Sequence, residues 1–241
     1  SHIAKVPKGR LTRHFQHLTR FSSAFAFLSD ICMAIFGGEL KRKEKISSRF
    51  ADIFSLIYGG SAVIKHFYDI GQPEEDLPIV HWVFAEIYYS IQQNLLAILD
   101  NFPNRWLGLT LKFILFPLGA CFKQPSDHLA RKMVKLFTQP SGSRQRMAEG
   151  IYLSEGGYSS AGAVEKAFHM MIAASAIEKK VTQAKKEKRI DGLTFDERMV
   201  SAVLNGILTQ EEADTYTQVH KARMDVIAVD DFAPEELARV K

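Results

Sequence analysis

The stretch that decides the fold is LTRFSSAFAFLSDICMAIFGGELKRKEKISSRFADIFSLIYGGSAVIKHF, residues 18–67. Counting Phe15 just upstream, the apolar residues Leu18, Phe25, Leu28, Cys32 and Ile35 recur at helical spacing. That spacing gathers them on one face. Phe50, Ile53, Phe54, Ile57, Ile64 and Phe67 repeat the pattern in the second half. Between the halves, Gly37 and Gly38 can take the positive φ that ends a helix. The reading is an antiparallel hairpin of two long helices with its turn near residue 38.

A third long helix is expected to open at Asp76-Leu77-Pro78, with Asp76 as its N-cap and the proline in its first turn. It should run to Asp100 and stop at Phe102-Pro103. A shorter helix starts at Ser126 and reaches about Phe137. Residues 139–162, QPSGSRQRMAEGIYLSEGGYSSAG, are rich in Gly and Ser and read as a linker. One helix should then run from about Ala161 to Arg189. Two short helices follow, separated by Gly206 and opened by the capping boxes Thr194-x-x-Glu197 and Thr209-x-x-Glu212. No alternating apolar run is bounded by turns, so no strand is expected. The fold class is all-α: a helical bundle over 1–138, a linker over 139–162 and a smaller helical C-terminal segment over 163–241.

Composition agrees with a packed core: of 241 residues, 46% are hydrophobic and 24% charged, too apolar for a disordered chain. Two cysteines, Cys32 and Cys121, exclude a disulfide framework and a Cys-x-x-Cys metal pair. Both read as small core residues. The first residues, SHIAKVPKGRLTRHF, are basic but lack the apolar centre of a secretory leader. They also lack an initiator methionine, so the expectation is of a piece of a longer protein. Net charge is +4 but unevenly spread. Residues 1–70 hold 11 Lys/Arg against 5 Asp/Glu, whereas residues 191–241 hold 5 against 11. A basic front and an acidic tail suit self-complementation or an anionic partner.

RWLGLTLKFILFPLG, residues 105–119, carries one charge after its first residue, Lys112, in a chain otherwise well supplied with charge. A membrane span needs ~20 apolar residues; Trp106 to Leu118 is 13 long and holds Lys112 and Pro117, so it does not span. Either it is core, or Trp106, Leu109, Phe113 and Phe116 form a membrane or partner contact while Lys112 snorkels. Lys41, Arg42, Lys43 and Lys45 at the hairpin turn are candidate contacts for lipid headgroups or a phosphate. No interleaved aromatics or nucleic-acid motif accompany this cluster, and nucleic acid is not expected. Asp30, set in FLSDICMAIF, reads as a buried carboxylate in need of a partner. The hairpin geometry nominates Arg49 for an ion pair. His14 and His17 share a helix face among arginines rather than carboxylates, a poor metal set. His81, beside Trp82, reads as a packed residue. No nucleophile, general base, Walker loop or dinucleotide fingerprint assembles.

Several segments resemble a known family: residues 18–67 quoted above, EEDLPIVHW (74–82), NFPNR (101–105) and VDDFAPEEL (229–237) are similar to the C-terminal region of the long bacterial acyl-coenzyme A dehydrogenases of fatty-acid β-oxidation. The resemblance implies a parent FAD enzyme that oxidises medium- or long-chain acyl-CoA to trans-2-enoyl-CoA and passes electrons to an electron-transferring flavoprotein. It also implies that the catalytic core precedes residue 1. No catalytic, metal or cofactor residue carries over onto this chain, and the AEG of residues 148–150 is not the family's catalytic motif. The segment's expected roles are docking on the upstream core, homo-oligomerisation and attachment to the inner membrane surface from the bacterial cytoplasm. Two alternatives stay open: acyl-CoA binding through the basic hairpin turn, and an independent helical adaptor.

Overall fold

The computed structural model describes residues 5–153 and 160–228, and every regular element among them is helical. The chain divides into two compact units, Ser1–Met147 and Ala148–Lys241. Most of GGYSSAG (156–162) and all of VDDFAPEEL (229–237) lie outside the described residues.

In the first unit, α1 (Thr12–Phe36) and α2 (Glu44–Asp69) form the expected hairpin. Gly37, at φ 49°, opens the 3₁₀ turn Gly37–Arg42 between them. α3 (Leu77–Asp100) completes the bundle. Phe21, Leu28 and Cys32 of α1, Ile53, Ile64 and Phe67 of α2, and Phe84, Ile91, Leu95 and Ile98 of α3 are all buried together. Gly60 lets the three helices meet. A Cβ there would stand 3.0 Å from Leu18 Cδ2 and 3.2 Å from Phe84 Cε1. Two members of the apolar repeat, Ile35 and Phe54, face outward instead. Thr12–Arg42 is the one segment among the described residues long and apolar enough to cross a membrane. In this fold α1 turns Phe21, Leu28 and Cys32 inward, while only 22% of that apolar window is buried.

Two short helices extend the bundle: α4 (Arg105–Leu115) and α5 (Asp127–Phe137), the latter capped by the Ser126 hydroxyl accepting from Leu129 N at 3.3 Å. The connection between them is pinned by the buried Gln92 amide. Its Nε2 donates to the Phe122 carbonyl at 2.9 Å and its Oε1 accepts from Phe122 N at 3.0 Å, so both ends of a buried polar group are satisfied. Cys32 is buried as expected. Cys121 is exposed, because the chain between α4 and α5 runs over the surface.

Residues 139–147 are not linker. They hold α6 (Gly142–Met147), whose Ser143 and Arg146 side chains both bind Asp76. Asp76 stands at the start of α3 as expected, yet its side chain makes no capping hydrogen bond. It points to α6, where a guanidinium is the stronger partner.

The second unit contains α7 (Ser160–Ala173), α8 (Ser175–Lys186), α9 (Phe195–Leu204) and α10 (Gln210–Ile227). The single helix expected over 161–189 is two. The chain turns at buried Ala174, and both halves pack on α10. The two capping boxes form in full, at Thr194/Glu197 and Thr209/Glu212. α10 is long, at 18 residues. Ala184, Ile190, Met199, Ala202, Leu208 and Ala213 make the core of this unit.

Candidate contact surface

α4 begins where Asn104 accepts hydrogen bonds at Oδ1 from Trp106 N (3.0 Å) and Leu107 N (3.2 Å). A glycine then decides which face turns inward. A Cβ on Gly108 would lie 2.6 Å from the Leu99 carbonyl oxygen and 3.2 Å from Phe102 Cβ. With Gly108 against the end of α3, Leu111 is buried with it and the opposite face is left in water. Trp106 is 80% exposed, Phe113 72% and Leu118 91%, with Leu109 and Ile114 also exposed. Trp106, Leu109 and Phe113 follow the one-face spacing of a helix.

The expected contact set is thereby corrected at one position. Phe116 is 5% exposed and belongs to the core, since the chain leaves α4 there and folds its ring back inward. Ile114 and Leu118 take its place on the outside. Lys112 is held to Asp100 at 2.9 Å. Arg20 of α1 donates to the Leu115 carbonyl at 2.9 Å, a cation at a helix C-terminus, and lies 6.0 Å from the Phe21 and Phe122 rings.

The basic turn lies at the same end of the unit as the entry to α4. Lys43 Nζ is 5.0 Å from the Phe36 ring, and that ring is 5.7 Å from Phe102. Lys41, Arg42 and Lys45 are exposed beside it. Asp30 and Arg49 do not pair. Asp30 is exposed, so no burial penalty calls for a counter-ion, and Arg49 donates to the Ala97 carbonyl at 3.3 Å.

One cluster carries no signal in the sequence beyond its residue types. His14 Nδ1 is 2.8 Å from the Tyr88 hydroxyl, its Nε2 is 2.9 Å from His81 Nδ1, and its ring stacks on Phe84 at 4.2 Å. Burial, then the neighbouring His81 and His17, press the His14 pKa down to about 4. Burial also lowers that of His81 and raises that of Tyr88. These are neutral rings tying α1 to α3. Among the described residues no three His, Cys, Asp or Glu side chains gather as a metal site.

Residues 1–232 match the family described as acyl-CoA dehydrogenase, C-terminal, bacterial type. The chain belongs to that family. No solved structure matches it. For an acyl-CoA dehydrogenase the family implies FAD in the parent enzyme. The largely apolar cleft between α2 and α3 does not fit a flavin: it offers aliphatic walls rather than donors for the ring's carbonyls and nitrogens. What this acyl-CoA dehydrogenase region does present is an outward apolar helix beside a basic turn.

Proposed function

We propose that this region attaches an acyl-CoA dehydrogenase of medium- or long-chain fatty-acid β-oxidation to the cytoplasmic face of the inner membrane. The observation that carries the reading is the outward face of α4 and the turn after it. Trp106, Leu109, Phe113, Ile114 and Leu118 are far more exposed than burial-seeking side chains ordinarily are. In the headgroup layer these residues gain the burial they lack in water, with Trp106 at the interface. Arg105, at the start of the same helix, and the basic turn near Phe36 supply attraction to anionic lipid. The hairpin also leaves Phe27, Met33, Phe54 and Tyr58 exposed, apolar side chains open to docking on the catalytic core or on a second copy. Conversion of acyl-CoA to trans-2-enoyl-CoA, with FAD and an electron-transferring flavoprotein, belongs to the parent enzyme in this reading, and no residue of this chain is assigned to it.

Flotation of the chain with phosphatidylglycerol vesicles tests the proposal. The chain should float, and the double variant Trp106→Glu/Phe113→Glu should stay in the dense fraction with an unchanged melting temperature. Failure of the unsubstituted chain to float at low salt ends the membrane reading. A concentration-dependent dimer abolished by the same two substitutions would instead make α4 a subunit contact.

A further inference from the structure

A second feature of the first unit lies away from α4. Beyond the close approach at Gly60, α2 and α3 leave a cleft of about 340 Å3 between them. Its walls are Val63 and Phe67 of α2, Ile70 just beyond it, and Ile79 and Val83 of α3, and Met147, the last residue of α6 and 40% exposed, lines its edge. We propose that this cleft binds an uncharged alkyl chain, with Met147 at its edge.

The chemistry of the lining selects that class. Two polar side chains reach the cleft, His66 and Asp76, and His66 is exposed at its rim. The Asp76 carboxylate is already engaged: Ser143 Oγ and Arg146 Nη2 donate to Oδ1, and Arg146 Nε donates to Oδ2. A polar ligand therefore gains no hydrogen bond there, whereas an apolar one removes facing aliphatic surfaces from water. Size argues against a protein occupant. A helix is ~10 Å across, and a stable protein interface buries ~800 Å2 on each partner. The cleft, by contrast, falls in the small-molecule range of roughly 300–1,000 Å3.

Charge narrows the class further. At the α6 end the Arg146 guanidinium is already engaged by Glu75 and Asp76, so a carboxylate head group gains no new charge partner from it. Met147 suits that edge because its unbranched thioether adapts to different contents. It is carried by a helix that the Asp76–Arg146 pair holds in place, so the acid at the cleft's end also keeps this edge seated.

The test is a titration of the whole 241-residue chain, labelled at its methionine methyls with 13C. The Met147 signal is assigned through Met147→Leu. With 1-decanol the Met147 methyl should shift and saturate while exposed Met33 does not move, and decanoate should bind at least tenfold more weakly. Val83→Phe, which fills the cleft, should weaken decanol at least tenfold. The proposal fails if Met147 does not shift up to the solubility limit, if Met33 shifts in parallel, or if decanoate binds as well as decanol. It also fails if Met147 responds only to vesicles, or only to rising protein concentration, since lipid or a second copy would then be the occupant. If Val83→Phe does not fold, the decanol and decanoate titrations of the unsubstituted chain still decide the matter.

Discussion

Arg146 grips Asp76 across seventy residues of sequence, Nε to Oδ2 at 2.9 Å and Nη2 to Oδ1 at 2.8 Å, while the same guanidinium also reaches Glu75. Asp76 is 2% exposed, and this fork-shaped contact is what makes its burial tolerable. Burial alone would raise its carboxyl pKa. The hydrogen bonds from Arg146 and Ser143, with the charge of Arg146, outweigh burial and hold it below the usual carboxylate range. A depressed folded-state pKa means stability fully present above a pH of about 4, the unfolded value, and lost as pH falls through the folded one. Asp76→Asn should lower the stability of the first unit by about 2 kcal/mol, remove this acid dependence, and speed amide exchange in residues 142–147. Unchanged exchange there would show that α6 is held by something else.

Gly108 sets the facing of α4. A methyl group 2.6 Å from the Leu99 carbonyl oxygen must push the helix off the end of α3. Gly108→Ala should cost about 1–3 kcal/mol despite its better helix propensity, read as a lower urea midpoint. A neutral or stabilising result would mean that α4 does not approach α3 so closely.

The His14 ring, held neutral between Tyr88 and His81, makes the fold sensitive to mild acid. Its pKa falls from 6.5 to about 4 on folding. The unfolded chain therefore takes up the proton first, and stability is whole above pH 6.5 and erodes as pH drops toward 4. The loss reaches up to about 3 kcal/mol. Urea midpoints at pH 7.5 and 5 should differ accordingly, and His14→Gln should shrink the difference.

In the second unit Lys188 takes φ 55° just beyond α8, where Arg189 N bonds back to the Ala184 carbonyl at 2.9 Å. This is the position where helices commonly place glycine. Lys188→Gly should raise stability by about 1 kcal/mol, seen as a higher melting temperature for this unit. A fall would indicate that the Lys188 side chain makes a compensating contact.

Much of the fold is legible in the sequence because α1, α2 and α3 carry apolar repeats longer than any competing signal and end at Gly37 and Asn101-Phe102-Pro103. Capping boxes are equally local, and both form. What is not legible depends on distant partners. Asp76 before Leu-Pro has every local mark of a cap, but the guanidinium that claims it lies on another helix. Asp30 looks out of place in an apolar run, yet its face of α1 meets water. RWLGLTLKFILFPLG has apolar residues on every side of its helix, with only Arg105, Thr110 and Lys112 polar, so the apolar pattern alone does not say which of them turn inward. The contact between Gly108 and the Leu99 carbonyl does, placing Phe116 inside and Ile114 and Leu118 outside. The cleft beside Met147 leaves no trace in the sequence, because a void arises from how helices are set apart rather than from any one residue.

The unequal fates of the two cysteines have a practical consequence. Cys32 is sealed in the bundle, and burial pushes its thiol up to about 11, so alkylating reagents find almost no thiolate there. Cys121 is open and lines the same shallow recess as Ile114 and Leu118. A maleimide dye added to the native chain will mark that one spot, giving an optical reporter beside α4 with no residue replaced.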